Sequence, residues 1–428
     1  MRVLVVGAGG REHALCWALK HDAPDTTLFT APGNAGTAQL GTNLRIAATA
    51  VDDIVAAVGQ HRIDLTIVGP EAPLALGLAD RLRAAGHAVF GPSADAARIE
   101  ASKAYAKDVM KRAGVPTAAS RCFTNLAPAL TYIESHPEPL VVKASGLAAG
   151  KGAVVCTTRS EAAATARGML SEGRFGDAGR EIVVEHYLEG EELSVLALTD
   201  GEQVLILPSA QDHKRLGEGD TGPNTGGMGA YSPVSVATDE LLARVRREVI
   251  EPTLQELISE GSRYEGVLYA GLMLAADGQP YLLEYNCRFG DPEAQAVLPV
   301  LPSGIAEHIR GIATGAWNPR KDKVLATCAA VSTVLAARGY PERPELGGAI
   351  DLPLDWPGDT IVFHAGTYRD PDGVLRVGGG RVFSVTALAR TVSEAARLSA
   401  QACSRISYAG KTYRRDIGWR EIGRARTP

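Results

Sequence analysis

Residues 140–155, Leu140-Val141-Val142-Lys143-Ala144-Ser145-Gly146-Leu147-Ala148-Ala149-Gly150-Lys151-Gly152-Ala153-Val154-Val155, set the architecture. Two apolar, β-branched runs flank a glycine-rich turn, which predicts two strands with a pliable loop between them. The loop tempts a Walker A assignment, but its glycine-to-lysine spacing is one residue short. No Ser or Thr follows Lys151, and the chain passes into a strand instead of a helix. A glycine loop between antiparallel strands still folds well over nucleotide phosphates with its backbone N–H groups, and Lys143 on the entering strand adds a point charge. A bare glycine hairpin is the alternative reading of these residues.

Upstream, Ser102 to Gly114 reads as a helix stopped by Gly114 and Pro116. Downstream, Thr158–Leu170 is helical and Glu181–Val184 is a strand. It runs into Glu185-His186-Tyr187-Leu188-Glu189-Gly190-Glu191-Glu192. A strand that turns and then offers carboxylates suits a purine held on backbone groups and ribose hydroxyls held on a glutamate. Taken alone, a solvated acidic turn is the commoner reading of such residues. Asp200-Gly201 and Asp277-Gly278 lie between apolar runs and predict two hairpins. Residues 217–233, rich in Gly, Thr, Asn and Pro, read as a long functional or disordered loop. Leu282-Leu283-Glu284-Tyr285-Asn286 ends in two oxygen-bearing side chains two residues apart, on one face of a strand. Such a pair suits Mg²⁺, which takes oxygen ligands and relies on nucleotide phosphates for the remainder. The alternative is a strand-end ion pair between Glu284 and Arg288.

Residues 1–92 alternate strands (Val3–Val6, Thr27–Thr30, Leu65–Val68, Ala88–Phe90) with helices (Glu12–Leu19, Asp52–Val58, Leu74–Ala85), the pattern of a parallel sheet. Gly69-Pro70 and Gly91-Pro92 end two strands at the edge where such sheets bind ligands. Gly7-Ala8-Gly9-Gly10-Arg11-Glu12-His13 leads a strand into a helix. Glu12 stands where a dinucleotide fingerprint needs its third glycine, and the second strand ends in Phe29-Thr30-Ala31-Pro32 without a carboxylate, so NAD binding is disfavoured. What remains is a helix N-terminus able to bind an anion, with Arg11 adding charge, or a structural tight turn. Pro32-Gly33-Asn34-Ala35-Gly36 is a similar, weaker candidate. Beyond Lys323, strand-like runs at Val324–Leu335, Thr360–His364 and Arg381–Val385 precede a helix from Ser393 to Ser404.

The chain has 428 residues, enough for three domains at about 150 residues each. A net charge of −5 argues against a protein that lives on nucleic acid. Six cysteines without CxxC spacing read as reduced, mostly buried thiols. The first apolar run is too short for a signal peptide. The stretch between Lys323 and Arg338 is shorter than the ~20 residues of a membrane span. A soluble, cytoplasmic protein with small-molecule partners, no nucleic acid and no membrane, is expected.

The order of these elements is more specific than any one of them. A lysine-bearing helix (Ser102-Lys103), Val142-Lys143 with its glycine loop, the acidic turn 185–192 and Glu284-x-Asn286 together resemble the ATP-grasp ligases over residues 100–316. Further motifs narrow the resemblance. These are Gly9-Gly10-Arg11-Glu12-His13-Ala14, Pro32-Gly33-Asn34-Ala35-Gly36, Val68-Gly69-Pro70-Glu71-Ala72-Pro73 and Gln211-Asp212-His213-Lys214-Arg215. To them add Thr221-Gly222-Pro223-Asn224-Thr225-Gly226-Gly227-Met228-Gly229-Ala230, Asn286-Cys287-Arg288-Phe289-Gly290-Asp291-Pro292-Glu293 and Arg415-Asp416-Ile417-Gly418-Trp419-Arg420. From end to end the chain resembles the glycinamide ribonucleotide synthetase family.

The resemblance implies an α/β fold, α+β in its centre. An N-terminal Rossmann-like parallel-sheet domain (1–101) is expected to precede an ATP-grasp domain (102–322) whose lid covers about 120–186. A small mixed α/β domain (323–428) completes the expectation. It implies ATP-dependent joining of glycine to 5-phosphoribosylamine through a glycyl phosphate, with Mg²⁺ (or Mn²⁺) as metal and ATP as co-substrate, in a monofunctional monomer. Carried over residue by residue, Lys103, Lys143, Gly146, Gly150 and Gly152 contact ATP phosphates. Glu185 and the backbone of Leu188 meet adenine, and Glu192 the ribose. Glu284 and Asn286 bind the metal. Arg288 takes the glycine carboxylate or its acyl phosphate and, with Lys143, is the catalytic expectation. Gly9, Gly10, Arg11, Gly33 and Asn34 face phosphoribosylamine, with Asp212, Lys214, Gly226, Gly227 and Met228 closing the site. Three departures accompany the match. Leu272 stands where many ATP-grasp enzymes carry a further acidic ligand, Ser145 replaces an aspartate, and Arg338 replaces a glycine. No general base is implied, and His213 has the chemistry either to orient a neighbour or to move a proton.

Overall fold

The structure, a computed structural model, describes residues 1–148 and 151–425. Gly150 of the expected ATP-binding loop lies outside the described residues. The N-terminal sheet is parallel, in the spatial order Thr42–Asn43, Thr27–Pro32, Arg2–Gly7, Leu65–Val68, Val89–Phe90. Alternation along the strands assigns their faces. Val3, Val5, Leu65 and Ile67 pack with Leu15 and Leu19 of the helix Gly10–Asp22, while Leu4, Val6 and Val68 pack with Ile54, Leu74 and Leu78 on the opposite side. The single helix expected over 74–85 is two, Glu71–Ala75 and Leu78–Ala84. Gly77 between them adopts φ +80°, a left-handed conformation that no α-helix continues through.

The helix Lys103–Arg112 starts on Ser102, whose hydroxyl accepts the Tyr105 N–H. Beyond it, the strands around the glycine loop form an antiparallel sheet in the order Ser120–Phe123, Ile182–His186, Leu140–Ala144, Ala153–Cys156. Helices Leu126–Ser135 and Arg159–Leu170 cover one face, burying Leu140, Val142, Ala144, Ile182 and Val184. The period of two then sends Val141, Lys143 and Glu185 to the other face, toward the cavity.

A second antiparallel sheet runs Val204–Ile206, Glu191–Thr199, Gly266–Leu274, Pro280–Asn286, and both expected hairpins are present in it. Its last strand is bulged. Glu284 pairs with Gly271 and Leu282 with Leu272, so Leu283 is the extra residue. Leu282 and Tyr285 stay in the core, while Leu283, Glu284 and Asn286 line the cavity.

The third antiparallel sheet joins distant parts of the chain: Gln211–Asp212, Gly229–Ser232, Ala329–Ala336, Arg381–Ala389, Asp359–His364, backed by the helix Val392–Arg405. It corrects the expectation of a long loop over 217–233. Arg215–Gly217 and Thr221–Asn224 form a hairpin, and Gly229–Ser232 is a buried strand whose hydrogen bonds are completed by Ala329–Ala336. That partner lies a hundred residues away and leaves no local trace. All six cysteines are free, with Cys16, Cys156, Cys287 and Cys403 buried. Among the described residues no helix is long and apolar enough to cross a membrane.

Candidate active site

The antiparallel sheet around the glycine loop, the bulged strand, the carboxyl edge of the N-terminal sheet and the C-terminal sheet enclose a cavity of about 710 Å³. Of the residues expected at the nucleotide, Lys103, Lys143, Gly152, Glu185, Leu188 and Glu192 line it. So do Glu284 and Asn286, and, of those expected at the other substrates, Arg11, Asp212, Lys214, Gly226 and Arg288.

At one end, Glu185 is buried between two ammonium groups, Lys143 Nζ at 2.8 Å and Lys107 Nζ at 3.0 Å. Lys143 also donates to the Leu283 carbonyl at 3.1 Å, so the bulge places an acceptor for it. Lys107 donates to Thr117 Oγ1 at 2.7 Å. Sequence reading passed over Lys107, although it follows Lys103 by one helical turn and so shares its face. Burial holds the Lys103 ammonium below its usual pKa, and Glu284 opposes that while Lys143 reinforces it. Val141, Val155, Met273 and Leu283 give this end apolar walls.

The departure at Ser145 has a structural role. Its hydroxyl accepts the Ala104 N–H at 3.1 Å, and its carbonyl accepts the Lys103 N–H at 2.8 Å. The start of the lysine-bearing helix is thereby tied to the start of the glycine loop. Gly146 is packed against Ala178, where a Cβ would lie 2.7 Å from its Cα, and it offers its carbonyl to Lys103 Nζ at 3.4 Å.

In the middle of the cavity, Lys214 Nζ is 2.5 Å from Glu192 and 4.0 Å from Glu284. Burial works against its charge, but Glu192, Asp212 and Glu284 outweigh it and raise its pKa well above the ordinary value. Burial likewise pushes up the Glu284 carboxyl, yet Lys214, Lys143, Lys103 and Arg288 bring it below the usual range, so it is ionised. Asp212 is different. Burial dominates, with Lys214 opposing it and Glu293 adding repulsion, and its pKa rises to about 8. Leu272 is fully buried in the core and does not reach the cavity, where the strand Pro280–Asn286 offers one carboxylate and one amide, Glu284 and Asn286. An ionised carboxylate beside an amide oxygen, flanked by Lys214, Lys143 and Lys103, has the chemistry to hold a hard divalent cation completed by phosphate oxygens.

Arg288, also on the cavity wall, does not pair with Glu284. Its Nη2 donates to Glu100 at 2.6 Å and its Nε to Glu71 at 3.3 Å. Glu100 in turn accepts the Cys287 N–H at 2.7 Å. The guanidinium is thus oriented by two carboxylates that the sequence did not single out, one of them in the Gly69-Pro70-Glu71 turn. Arg11 donates to Glu12 at 2.7 Å and to the Phe289 carbonyl at 3.0 Å.

Gly9, Gly10, Gly33, Asn34, Gly227 and Met228 are not on the cavity wall, and the reasons are specific. The Gly9 N–H is used by Glu12 Oε2 at 2.5 Å, so the first helix caps itself instead of presenting a free anion site. Glu12 fills the space that Gly7, Gly9 and Gly69 leave, since a Cβ on any of them would lie within 3 Å of its carboxylate group. This is also why a glycine at position 12 is not needed. A Cβ on Gly10 would collide with Gln295. Gly33 is folded over Thr30 and Asn43. Asn34 spends its amide on the carbonyls of Ala8, Gly9 and His364 and its oxygen on the N–H groups of Gly36 and Thr37. Gly227 sits against Pro292, and Met228 is fully buried. These residues shape the loops from behind. His213 also serves from behind. It accepts the Gly418 N–H at 3.0 Å on Nε2 and is kept neutral chiefly by burial, its Nδ1 3.8 Å from Asp220.

Family models match in sequence: phosphoribosylglycinamide synthetase N domain over residues 1–100, its ATP-grasp (A) domain over 101–294 and its C domain over 330–420. The phosphoribosylamine–glycine ligase of Vibrio cholerae serotype O1 is 46% identical over 99% of both chains. The enzyme of that name from Salmonella typhimurium is 47% identical over 99% of both. The crystal structure of phosphoribosylamine–glycine ligase from Thermotoga maritima superimposes with a TM-score of 0.86 at 35% identity, covering 97% of this chain and 100% of that one. With an ATP-grasp core joined to both flanking domains, the chain belongs to the phosphoribosylglycinamide synthetase family.

Proposed function

We propose that the protein catalyses ATP-dependent ligation of glycine to 5-phosphoribosylamine, giving glycinamide ribonucleotide, ADP and phosphate, a step of purine biosynthesis. The observation that carries the reading is the meeting of two chemistries in one cavity. Ammonium groups and an ionised Glu284 line it, together with a guanidinium clamped by two carboxylates.

In this reading adenine lies between the apolar walls, within reach of Glu185 and the Leu188 backbone. Glu185 Oε1 has Lys107 Nζ at 3.0 Å, and the second lone pair of that oxygen leaves room for an amino-group donor. Glu192 takes the ribose. Lys103, Lys143 and the glycine loop, including Gly146, Gly150 and Gly152, take the phosphates. Glu284 and Asn286 hold Mg²⁺ (or Mn²⁺), which when bound neutralises phosphate charge. Arg288 orients the glycine carboxylate. One carboxylate oxygen attacks the γ-phosphorus, ADP departs, and glycyl phosphate forms. The phosphoribosylamine nitrogen then attacks the carbonyl carbon, loses a proton, and expels phosphate. The protein supplies positioning and charge stabilisation, while the lid excludes water. Gly9, Gly10, Arg11, Gly33, Asn34, Asp212, Lys214 and the 226–228 loop form the phosphoribosylamine end, several of them through the backbone they hold. The reading includes a cytoplasmic monomer, which sedimentation tests.

Isotope-labelled glycine incubated with ATP, divalent metal and phosphoribosylamine should enter a phosphorylated amide of the mass of glycinamide ribonucleotide. Label remaining as free glycine while ATP binds would instead favour an idle ATP-binding protein.

A further inference from the structure

Two loops of the site converge on one turn of the C-terminal region. The Gly226 N–H donates to the Tyr340 hydroxyl at 3.0 Å. Its carbonyl accepts from Arg381 Nη1, which also donates to the Asp291 carbonyl at 2.8 Å, while Nη2 reaches Asp291 Oδ2 at 3.0 Å. A Cβ at Gly226 would lie 3.3 Å from both the Tyr340 oxygen and Arg381 Cζ, so this cavity-lining residue is gripped from two sides. The next residue of the turn, Pro341, gives its carbonyl to Lys151 Nζ at 2.9 Å. Lys151 belongs to the glycine loop of the lid.

The turn has its own supports. Tyr340 N–H donates to the Ala337 carbonyl, Arg343 N–H to the Gly339 carbonyl at 2.8 Å, and Ala337 N–H to the carbonyl of Gly380, just before the strand Arg381–Ala389, at 2.9 Å. The Tyr340 ring lies over Gly380, where a Cβ would come within 2.5 Å of it. Arg338 points outward, 3.7 Å from Glu345, so its departure from glycine leaves these contacts intact.

We propose that the turn Gly339–Tyr340–Pro341 is a positioning element of the site, in which Tyr340 fixes the Gly226 peptide and the Pro341 carbonyl seats the lid lysine Lys151. Both loops are then referenced to one rigid sheet. None of the three residues touches reacting atoms. The inference rests on the ligase reading for its kinetic consequences. An unfixed Gly226 weakens binding of the amine substrate. An unseated lid admits water to glycyl phosphate, whose carbonyl carbon is attacked by water oxygen as phosphate leaves, regenerating glycine and wasting ATP.

The test uses the full chain with Tyr340→Phe and, separately, Lys151→Met and Lys151→Arg. Tyr340→Phe should raise KM for phosphoribosylamine about three- to tenfold, the worth of one hydrogen bond, with kcat and the KM for ATP unchanged. In the free protein, amide hydrogen exchange over residues 224–229 should quicken while residues 329–336 keep their protection. Lys151→Met should form more ADP than ligated product, and Lys151→Arg should return that ratio toward one. Unchanged KM and exchange in Tyr340→Phe, or an ADP-to-product ratio of one in Lys151→Met, overturn the proposal. If the unsubstituted protein ligates nothing, the functional reading fails, and the exchange comparison still decides whether Tyr340 fixes Gly226.

Discussion

Lys143→Met separates a nucleotide-binding role from a structural one. The side chain is 8% exposed and bonds Glu185 and the Leu283 carbonyl. Methionine keeps most of its volume and removes the charge. Glu185 is not left alone, because Lys107 Nζ remains 3.0 Å away. The stability cost should therefore be about 1–2 kcal/mol, below the roughly 3–5 kcal/mol of a buried charge stripped of its partner. Nucleotide binding should suffer more. A charge-assisted hydrogen bond to phosphate contributes about 1.5–3 kcal/mol, a rise of about 10- to 150-fold in KM for ATP. Lys107→Met is the control, since it removes the other partner of Glu185 and should leave KM for ATP close to the original value. The assay is ADP release at saturating glycine and phosphoribosylamine, with thermal unfolding of each variant. A Lys143→Met protein with unchanged KM for ATP, or a Lys107→Met protein as impaired as Lys143→Met, would refute the assignment of Lys143 to phosphate.

Other expectations follow from the same geometry. Glu284→Gln removes the ionised ligand and should raise the divalent-metal concentration for half-maximal ADP release by more than about tenfold; an unchanged metal titration contradicts its role. Burial, with His364 adding to it, lowers the pKa of His13 to about 3, and burial, aided by Arg369, lowers that of His364 to about 4. Both are neutral in the fold, whereas the unfolded chain gains their protons as pH falls through 6.5. Their contribution is thus complete above pH 6.5 and lost on acidification, by about 1.4 kcal/mol per pH unit for each histidine. His364→Gln should make the unfolding midpoint less sensitive to acid, and an unaltered slope would count against this. Finally, a Cβ at Gly69 would stand 2.3 Å from Glu12 Oε1. Gly69→Ala should cost about 1–3 kcal/mol in thermal unfolding, and a neutral outcome would mean that Glu12 is free to move.

What was legible in the sequence is what local pattern controls. Runs such as Val3–Val6 and Leu140–Lys143 announce strands through β-branching, and Ser102 and Thr158 announce helix starts through capping. Glu284-x-Asn286 was readable because alternation places both side chains on one face, although the bulge at Leu283 that gives Lys143 its carbonyl was not. The missing parts depend on long-range pairing. Gly229–Ser232 is a strand because Ala329–Ala336 completes it, and the same sheet carries Arg381 to Gly226. Glu71 and Glu100 matter because folding brings both to Arg288. The glycines at 9, 10 and 33 looked like ligand loops, yet each is small to admit a neighbouring side chain of the protein itself. Composition does not distinguish those two uses of glycine.

The most direct measurement is ADP release from ATP, divalent metal and glycine, with and without phosphoribosylamine made in the cuvette from ribose 5-phosphate and ammonia. The expected result is ADP formed in step with glycinamide ribonucleotide when all three substrates are present. Tight ATP binding without turnover, or equal turnover with an unrelated amine, would contradict the assignment.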